Sequence, residues 1–417
     1  MSVTTASEGV ASAGPRLATE SLRAALLWLM AFAGGFVFIE PGPYELIGAA
    51  TIFVFGLTGL ALRPALAPFI LLLILLNVGY ALALMQVLED SKTIVWVCVS
   101  IFLTGTAIFF AGMLGTNTEY RLKWLMRGYI AASVIVSLIA IAAYFRAFGG
   151  LSDTLIIFGR ARGTFKDPNV YSAFLILPAI LLLQRILAGH RRSQVLGAML
   201  LLLVVIGGLF LSFSRAAWGQ FVFCSLLLMA LTFVTSRSRS ERFRIVLVAI
   251  GGVFAAAIFV AALLSLDQVA ELFKERASLD QSYDTGHLGR FGRYILGAEL
   301  VLERPLGLGP LQFPKYFPED PHNTYLNSFV SGGWLGGAAY FALTLVTLAM
   351  GMRYALVATP WRPIFQAVYV AYVGLAIESA IIDSDHWRHY YLILGVLWGL
   401  MAVSRPLLVQ PRPQAAS

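Results

Sequence analysis

The sequence predicts an all-α, polytopic membrane protein with about twelve transmembrane helices. Hydrophobic residues make up 59% of the 417 residues and charged residues only 12%, a balance that ordinary soluble domains do not have. Apolar runs of about twenty residues recur along the chain, and a run of that length crosses a bilayer as a helix. The runs are continuous and do not alternate with polar residues, which excludes a membrane β-barrel.

The apolar runs define twelve predicted spans separated by polar connections. They cover residues 24–39, 44–62, 66–86, 93–114, 124–147, 171–187, 194–212, 216–236, 245–265, 324–352, 363–382 and 389–404. The polar ends, 1–23 and 405–417, are predicted to be tails, and the first twenty residues have no hydrophobic pattern and are expected to be disordered. Two long loops, 148–170 and 266–323, interrupt the transmembrane domain of 24–404, and the second loop joins spans nine and ten.

Basic residues are distributed unevenly between the two sides of the predicted bundle. One set of alternate connections, together with both ends, holds more than half of the 30 Lys and Arg residues but few of the 22 Asp and Glu residues. Because this bias sets the orientation of membrane proteins, both termini are predicted to be cytoplasmic and both long loops to face outward. The net charge of +8 is explained by topology and does not indicate nucleic acid binding.

Several arginines lie on the predicted outward side, where the charge bias gives no reason for them. They are Arg160, Arg162, Arg215, Arg290, Arg293, Arg304 and Arg388. A cation next to a span is costly unless it is paired or hydrated. The planar guanidinium fork suits phosphate, so the pattern favours a diphosphate carried on a lipid as the ligand, with its tail in the bilayer.

Each group of outward arginines also has a structural alternative. Arg215 stands between two apolar segments with almost no loop, so it could be a helix-end arginine that reaches water or a carboxylate. The loop from Arg160 to Asn169 could be a charged loop whose Asp167 starts a helix, or an anion site at that helix start. Arg290 and Arg293 share a face if they are helical, and that face could instead lie on anionic headgroups.

His322 stands where the second long loop re-enters an apolar segment. At a water-poor boundary rich in arginine, its imidazole should have a lowered pKa and be neutral, and it could then act as a general base. Asn323 and Tyr325 are the residues expected to orient the ring. The alternative is a histidine that caps the helix through a structural hydrogen bond.

A second polar cluster lies in the last predicted outward loop. Its members are Glu378, Asp383, Asp385, His386, Arg388 and His389. Carboxylates and histidines at this density could bind a divalent metal, or they could form ion pairs with the arginines. Asp385 is an alternative candidate for the base. Phosphate-binding glycine loops, zinc-protease patterns and nucleophile elbows are absent from the sequence, so neither nucleotide nor cofactor is predicted.

Three stretches of the chain resemble the O-antigen ligase and O-antigen polymerase superfamily of bacterial envelope glycosyltransferases. The resemblance is carried by Arg162-Gly163-Thr164-Phe165 with Asp167-Pro168-Asn169, by Phe213-Ser214-Arg215, and by His322-Asn323 through Gly333-Trp334-Leu335-Gly336. The last stretch fits the ligase pattern of a histidine, a small polar residue, nine further residues, and then two glycines separated by two residues. The resemblance implies a GT-C-like fold and a metal-independent, inverting enzyme.

By this resemblance, the enzyme would transfer polysaccharide from undecaprenyl pyrophosphate to a lipid A-core sugar at the periplasmic face of the bacterial inner membrane. His322 matches the essential histidine, Arg215 an essential arginine, and Arg290, or Arg293 beside it, the arginine of the large loop. The other expected substrate-binding residues are Arg160, Arg162, Arg293, Asn323, Tyr325 and Arg388.

Three alternatives to the ligase remain open. The closest is a polymerase of the same superfamily, in which only the acceptor differs. An O-linked protein-glycosylating enzyme is less favoured because those chains usually carry a longer C-terminal region. A transporter of an anionic lipid-linked sugar should place charge along a path across the membrane. Here ionisable residues are scarce within the spans and the outward arginines gather on one side, which favours an enzyme.

Overall fold

The computed structural model describes residues 7–39, 41–189, 191–277 and 288–409. Within them the chain forms fourteen α-helices and one short antiparallel strand pair. The helices are α1 (Ser7–Ala33), α2 (Pro43–Thr58), α3 (Ala67–Leu84), α4 (Ser91–Met113), α5 (Thr118–Tyr144), α6 (Pro168–Ala188), α7 (Arg192–Leu211), α8 (Arg215–Thr235), α9 (Arg239–Leu264), α10 (Asp267–Ala277), α11 (Arg290–Glu303), α12 (Thr324–Ala355), α13 (Arg362–Glu378) and α14 (Arg388–Val409). The strands are β1 (Ile156–Ile157) and β2 (Arg160–Ala161).

Each of the twelve predicted spans coincides with one of these helices, which confirms a polytopic helical membrane protein. Nine helices of the described residues are long and apolar enough to cross a membrane, namely α3 to α9, α12 and α14. The other three, α1, α2 and α13, are not in that set. Helices α2 and α13 have 16 and 17 residues. At a rise of about 1.5 Å per residue they are shorter than a hydrocarbon core of about 30 Å.

The predicted N-terminal tail is helical from Ser7, so the expectation of a disordered segment is wrong for residues 7–20. Glu20 forms ion pairs with Arg23 of its own helix and with Arg121 of α5. The two guanidinium carbons lie 5.1 and 5.2 Å from the ring centre of Phe55. Because these charges neutralise one another and stack on an aromatic ring, a polar sequence continues the helix of the first apolar segment. At the other end, α14 continues to Val409, and residues 410–417 lie outside the described part.

The two long loops lie at the same end of the helix bundle, called here the loop end. The first loop contains a 3-10 helix, Gly149–Leu155, followed by the β1–β2 hairpin. The second contains α10, α11 and a 3-10 turn, Phe313–Lys315. The prediction that Asp167 starts a helix is confirmed, since its carboxylate accepts the backbone N–H of Asn169 at 2.7 Å at the start of α6.

Helix α12 packs closely against α3 through glycine. A Cβ atom added to Gly79 would lie 2.5 Å from the backbone nitrogen of Gly336, so the two backbones touch where these glycines meet. Close packing of this kind fixes α12 along its membrane-facing length. It also fixes the height at which the first turn of α12 emerges at the loop end.

Candidate active site

The first turn of α12 is anchored by the loop that joins α13 to α14. Asn323 caps the helix, because its side-chain Oδ1 accepts the backbone N–H of Leu326 at 3.1 Å. The backbone N–H of Thr324 donates to the carbonyl of Ser379 at 2.7 Å. His322 precedes the cap with a φ of 51°, a left-handed conformation that is uncommon for residues with a side chain. The His322 backbone is thus held in one unusual conformation at the helix start.

Asp383 binds the backbone on which this histidine stands. Its Oδ2 accepts the N–H of His322 at 3.2 Å and its Oδ1 accepts the N–H of Asn323 at 3.1 Å. The same Oδ2 lies 3.6 Å from Nδ1 of the His322 ring. From the other side, the hydroxyl of Tyr294 on α11 donates to the His322 carbonyl at 3.0 Å. With Nδ1 facing a carboxyl group, Nε2 is the ring nitrogen available to a substrate.

Arg293 lies beside the histidine and is only 2% exposed. Its Nη2 donates to Oε2 of Glu319 at 2.9 Å, and that oxygen is 3.9 Å from Nε2 of His322. The Nε and Nη1 atoms of Arg293 are buried and have no hydrogen-bond partner within the described parts of the chain. Buried guanidinium N–H groups are costly when unsatisfied, so these two atoms mark a place where an anion would be stabilised.

The surroundings of His322 lower the pKa of its imidazole. The largest cause is desolvation, followed by the positive charges of Arg290 and Arg293, while Glu319 and Asp167 oppose the shift in part. Arg290 is the first residue of α11 and lies one turn before Arg293, as the helical spacing predicts. At neutral pH the imidazole is uncharged, which is the state that a general base requires.

Asp383 is shifted in the opposite direction. Burial raises its pKa to about 8, and the neighbouring carboxyl groups of Asp385 and Asp320 add to that shift because they oppose a further negative charge. The two shifts are therefore opposed: Asp383 keeps its proton to a higher pH than an ordinary carboxyl group, and the pKa of the His322 ring lies below that of an ordinary imidazole.

Arg160 joins the strand pair to the start of α8. Its Nε donates to the carbonyl of Ser212 and its Nη2 to Oδ1 of Asn169, both at 2.7 Å. Ser212 belongs to the tight turn between α7 and α8, in which Phe213 has a φ of 49°. Arg215 is the first residue of α8 and is half-buried. The hairpin and Arg215 are thus held next to each other at the loop end.

Arg162 has a structural part in the first long loop. Its Nη1 donates to the carbonyl of Lys166 at 3.0 Å and its Nη2 to the carbonyl of Thr154 at 2.8 Å. Its Nε is buried without a partner among the described residues. The guanidinium closes the loop on itself, and only the Nε edge remains for a ligand.

Two of the predicted binding residues are engaged elsewhere. Arg388 forms an ion pair with Glu45 at 2.7 Å, and its guanidinium carbon lies 5.3 Å from the ring centre of Tyr44. The hydroxyl of Tyr325 donates to the carbonyl of Ala376 at 2.6 Å, so it ties α12 to α13. The expectation that Tyr325 and the Asn323 side chain orient the histidine is therefore wrong, because Asp383 and Tyr294 have that position.

The acidic and histidine-rich loop after α13 does not form a metal-binding group. No set of three or more His, Cys, Asp or Glu side chains in the described residues could hold a metal ion. Nδ1 of His386 lies 3.2 Å from Oδ2 of Asp385, and the ring of His386 contacts Trp96 with ring centres 3.8 Å apart. Asp385, the alternative base, faces His386 in this way.

The structure thus gathers His322, Arg290 and Arg293 at one place. It ties Arg160 to the turn that precedes Arg215. No pattern in the sequence joins Asp383 to the histidine, although Asp383 belongs to the acidic cluster. Glu319 is a further residue of the site that the sequence does not indicate. Its only sequence signal is its position three residues before the histidine.

A comparison with protein families covers the region that contains most of these residues. Residues 198–341 match the O-antigen ligase family. The matched O-antigen ligase domain begins in α7, ends in α12, and includes Arg215, Arg290, Arg293 and His322. It covers roughly a third of the chain. A search among curated proteins found no match. Members of the matched family are enzymes that transfer lipid-linked sugars.

The glycines that follow the histidine in the matched region have a structural explanation. Gly333 has φ 64° and ψ −168°, which breaks α12, and a Cβ there would lie 2.5 Å from the carbonyl oxygen of Pro305. That carbonyl accepts the N–H of Trp334 at 2.9 Å, and the N–H of Leu308 donates to the carbonyl of Val330 at 2.7 Å. The break lets the segment after α11 pack on α12, which joins the arginine helix to the histidine helix.

Proposed function

We propose that the protein is an O-antigen ligase. In this proposal it transfers polysaccharide from undecaprenyl pyrophosphate to a hydroxyl of a lipid A-core sugar. The protein would be a multi-pass protein of the bacterial inner membrane with both termini in the cytoplasm and the loop end in the periplasm. The charge bias of the connections supports this orientation. The family match supports a lipid-linked sugar substrate.

One observation carries the proposal. An oriented imidazole lies within 4 Å of a carboxylate that is bound to the buried guanidinium of Arg293, whose other two nitrogens have no partner within the described residues. The surroundings of this imidazole lower its pKa. A base and an anion-binding cation are therefore adjacent, at the end of an apolar helix bundle. Displacement of a pyrophosphate by a sugar hydroxyl needs this combination.

The reaction follows from that arrangement. Nε2 of His322 would accept the proton of the acceptor hydroxyl as its oxygen forms a bond with the anomeric carbon of the donor sugar. The bond from that carbon to the pyrophosphate oxygen would break on the opposite face, which inverts the configuration. The electron pair leaves with the pyrophosphate, and the guanidinium groups of Arg290 and Arg293 would neutralise the added charge. Arg215, at the neighbouring turn, would bind the same leaving group. The proposed reaction uses arginine for this charge and does not require a metal or cofactor.

The decisive experiment is transfer with purified components. Detergent-solubilised protein is mixed with undecaprenyl-pyrophosphate-linked glycan and lipid A-core, and the length of the glycan on each lipid is followed on a gel. We expect a ladder on lipid A-core that is lost in His322→Ala. Arg146→Ala is the matched control, because Arg146 forms an exposed surface ion pair with Asp153.

Two results would contradict the ligase proposal. Growth of the glycan on undecaprenyl pyrophosphate, with nothing on lipid A-core, would identify a polymerase. Donor binding without any product would favour a transporter.

A further inference from the structure

The carboxylate of Glu319 lies where the proposed reaction would place the substrates, next to Arg293 and His322. Its Oε2 is 2.9 Å from Nη2 of Arg293 and 3.9 Å from Nε2 of His322. These are the guanidinium proposed to bind the leaving group and the ring nitrogen proposed to bind the acceptor proton. One carboxylate oxygen therefore lies between the two groups that should face substrate.

The carboxylate of Glu319 accepts a hydrogen bond from only one nitrogen of the Arg293 guanidinium. It binds one of three guanidinium nitrogens, and the other two stay buried without a partner in the described chain. A guanidinium fork is suited to a ligand with several acceptor oxygens, such as phosphate. A single carboxylate oxygen is thus a poor match for this cation, and a pyrophosphate would be a better one.

The burial of the two partners is unequal. The side chain of Arg293 is 3% exposed, whereas that of Glu319 is 59% exposed. Releasing Glu319 to water therefore exposes a carboxylate that is already mostly hydrated, while Arg293 stays in place. Glu319 lies in the segment Pro318–His322, between the packed ring of Phe317 and the anchored start of α12. The acid can leave without moving either anchor.

We propose that Glu319 occupies the anion position of the free enzyme and that the pyrophosphate of the donor displaces it. The carboxylate would neutralise Arg293 and cover Nε2 of His322 until the donor arrives. Its departure would open both groups in one step, so that the base meets an acceptor only when a leaving group is bound. This inference rests on the proposed function.

Binding of inorganic pyrophosphate to the purified full-length protein tests the displacement directly by calorimetry. In Glu319→Gln the competing charge is gone, and we expect the dissociation constant to fall about threefold to tenfold below that of wild type. Glu319→Asp keeps the charge but is one methylene too short for the contact, and it should show a similar gain. Arg293→Gln should lose most of the binding.

Glu303→Gln is the matched control, since Glu303 is an exposed acid at the far end of α11. It should bind pyrophosphate as wild type does. Thermal unfolding of each variant reports whether the substitution merely loosens the loop.

Several outcomes would overturn the inference. Weaker binding in Glu319→Gln would mean that the acid supports the site. Wild-type affinity for pyrophosphate in Glu319→Asp would mean that the negative charge near the site, and not the direct contact with Arg293, sets the affinity. Unchanged binding in Arg293→Gln, or no pyrophosphate binding in any variant, would remove the proposed anion position. The transfer assay remains a separate readout, so a working ligase with any of these results would refute this inference alone.

Discussion

The carboxyl group of Asp383 binds the backbone N–H groups of His322 and Asn323 and also lies 3.6 Å from Nδ1 of the His322 ring. One side chain therefore contacts both the main chain of the histidine and the Nδ1 edge of its ring. This arrangement leaves Nε2 directed away from Asp383. A carboxyl that orients an imidazole base in this way has a positioning role and need not touch the substrate.

His322→Ala should lower the rate of transfer about a hundredfold to ten-thousandfold, because it removes the proton acceptor. The variant should still insert and fold, since the Asn323 cap and the Thr324 contacts do not use the ring. Single-turnover transfer and thermal unfolding, measured on the same preparation, check both statements. A folded His322→Ala protein with wild-type activity would exclude the histidine as base.

The rate of transfer should fall on the acid side of pH 6.5 and not above it. The pKa of His322 is lowered from 6.5 by burial and by the two arginines, so the uncharged ring dominates at pH 7 and is lost only as the pH drops through the lowered value. Transfer measured at saturating donor between pH 5 and pH 8 tests this expectation. A rate that already declines between pH 8 and pH 7 would contradict it.

The stability of the Asp383→Asn variant relative to wild type should increase as the pH rises. The pKa of Asp383 is raised in the folded protein from 3.8 to about 8, so its protonated form stabilises the fold below pH 3.8 and that contribution is lost as the pH approaches 8. The difference in melting temperature between variant and wild type should therefore shift in favour of the variant between pH 5 and pH 8 and then level off.

The same Asp383→Asn variant should lose activity at every pH. The side-chain amide has one oxygen, which can accept only one of the two backbone N–H groups of His322 and Asn323. Its NH₂ group would face the other N–H.

The stability prediction for this variant has its own contrary outcome. A difference in melting temperature that is constant with pH would show that Asp383 does not carry the proton in the folded protein.

Gly333→Ala should destabilise the protein by about 1–3 kcal/mol and reduce transfer. The backbone there has a positive φ, and a Cβ would collide with the carbonyl of Pro305. Gly251→Ala is the control, because a Cβ on Gly251 within helix α9 meets nothing within 4 Å. Alanine should be neutral or slightly stabilising at that position. Equal melting temperatures for the two variants would contradict the role given to the helix break.

Much of the fold follows from hydrophobic length and local signals. The twelve apolar runs lie in helices, Asp167 starts α6, and Arg290 and Arg293 lie one turn apart on a helix, because each of these depends on neighbouring residues in the chain. The helical N-terminal segment was not predictable in this way. Its Glu20 is neutralised by Arg121, which is 101 residues away in sequence.

The candidate site likewise contains residues that local sequence patterns indicate and residues that they do not. His322 and the outward arginines stand out in the sequence because polar residues at a membrane boundary are conspicuous. The partner of the histidine does not, since Asp383 lies 61 residues away and acts mainly through backbone N–H groups that no sequence pattern displays. The ion pair of Arg388 with Glu45 joins α14 to the start of α2, and no local pattern in the sequence predicts it.

The break at Gly333 also changes how α12 relates to the bilayer. An unbroken helix of 32 residues would be about 48 Å long, far more than a hydrocarbon core of about 30 Å needs. The break leaves a stretch of roughly 22 residues, about 33 Å, as the part that matches the bilayer. The turns before Gly333 are bound at the loop end, where the N–H of Thr324 donates to Ser379 and the carbonyl of Val330 accepts from Leu308. The direction of the histidine turn can thus follow the loops, while its height is fixed by the packing of Gly336 on Gly79 of α3.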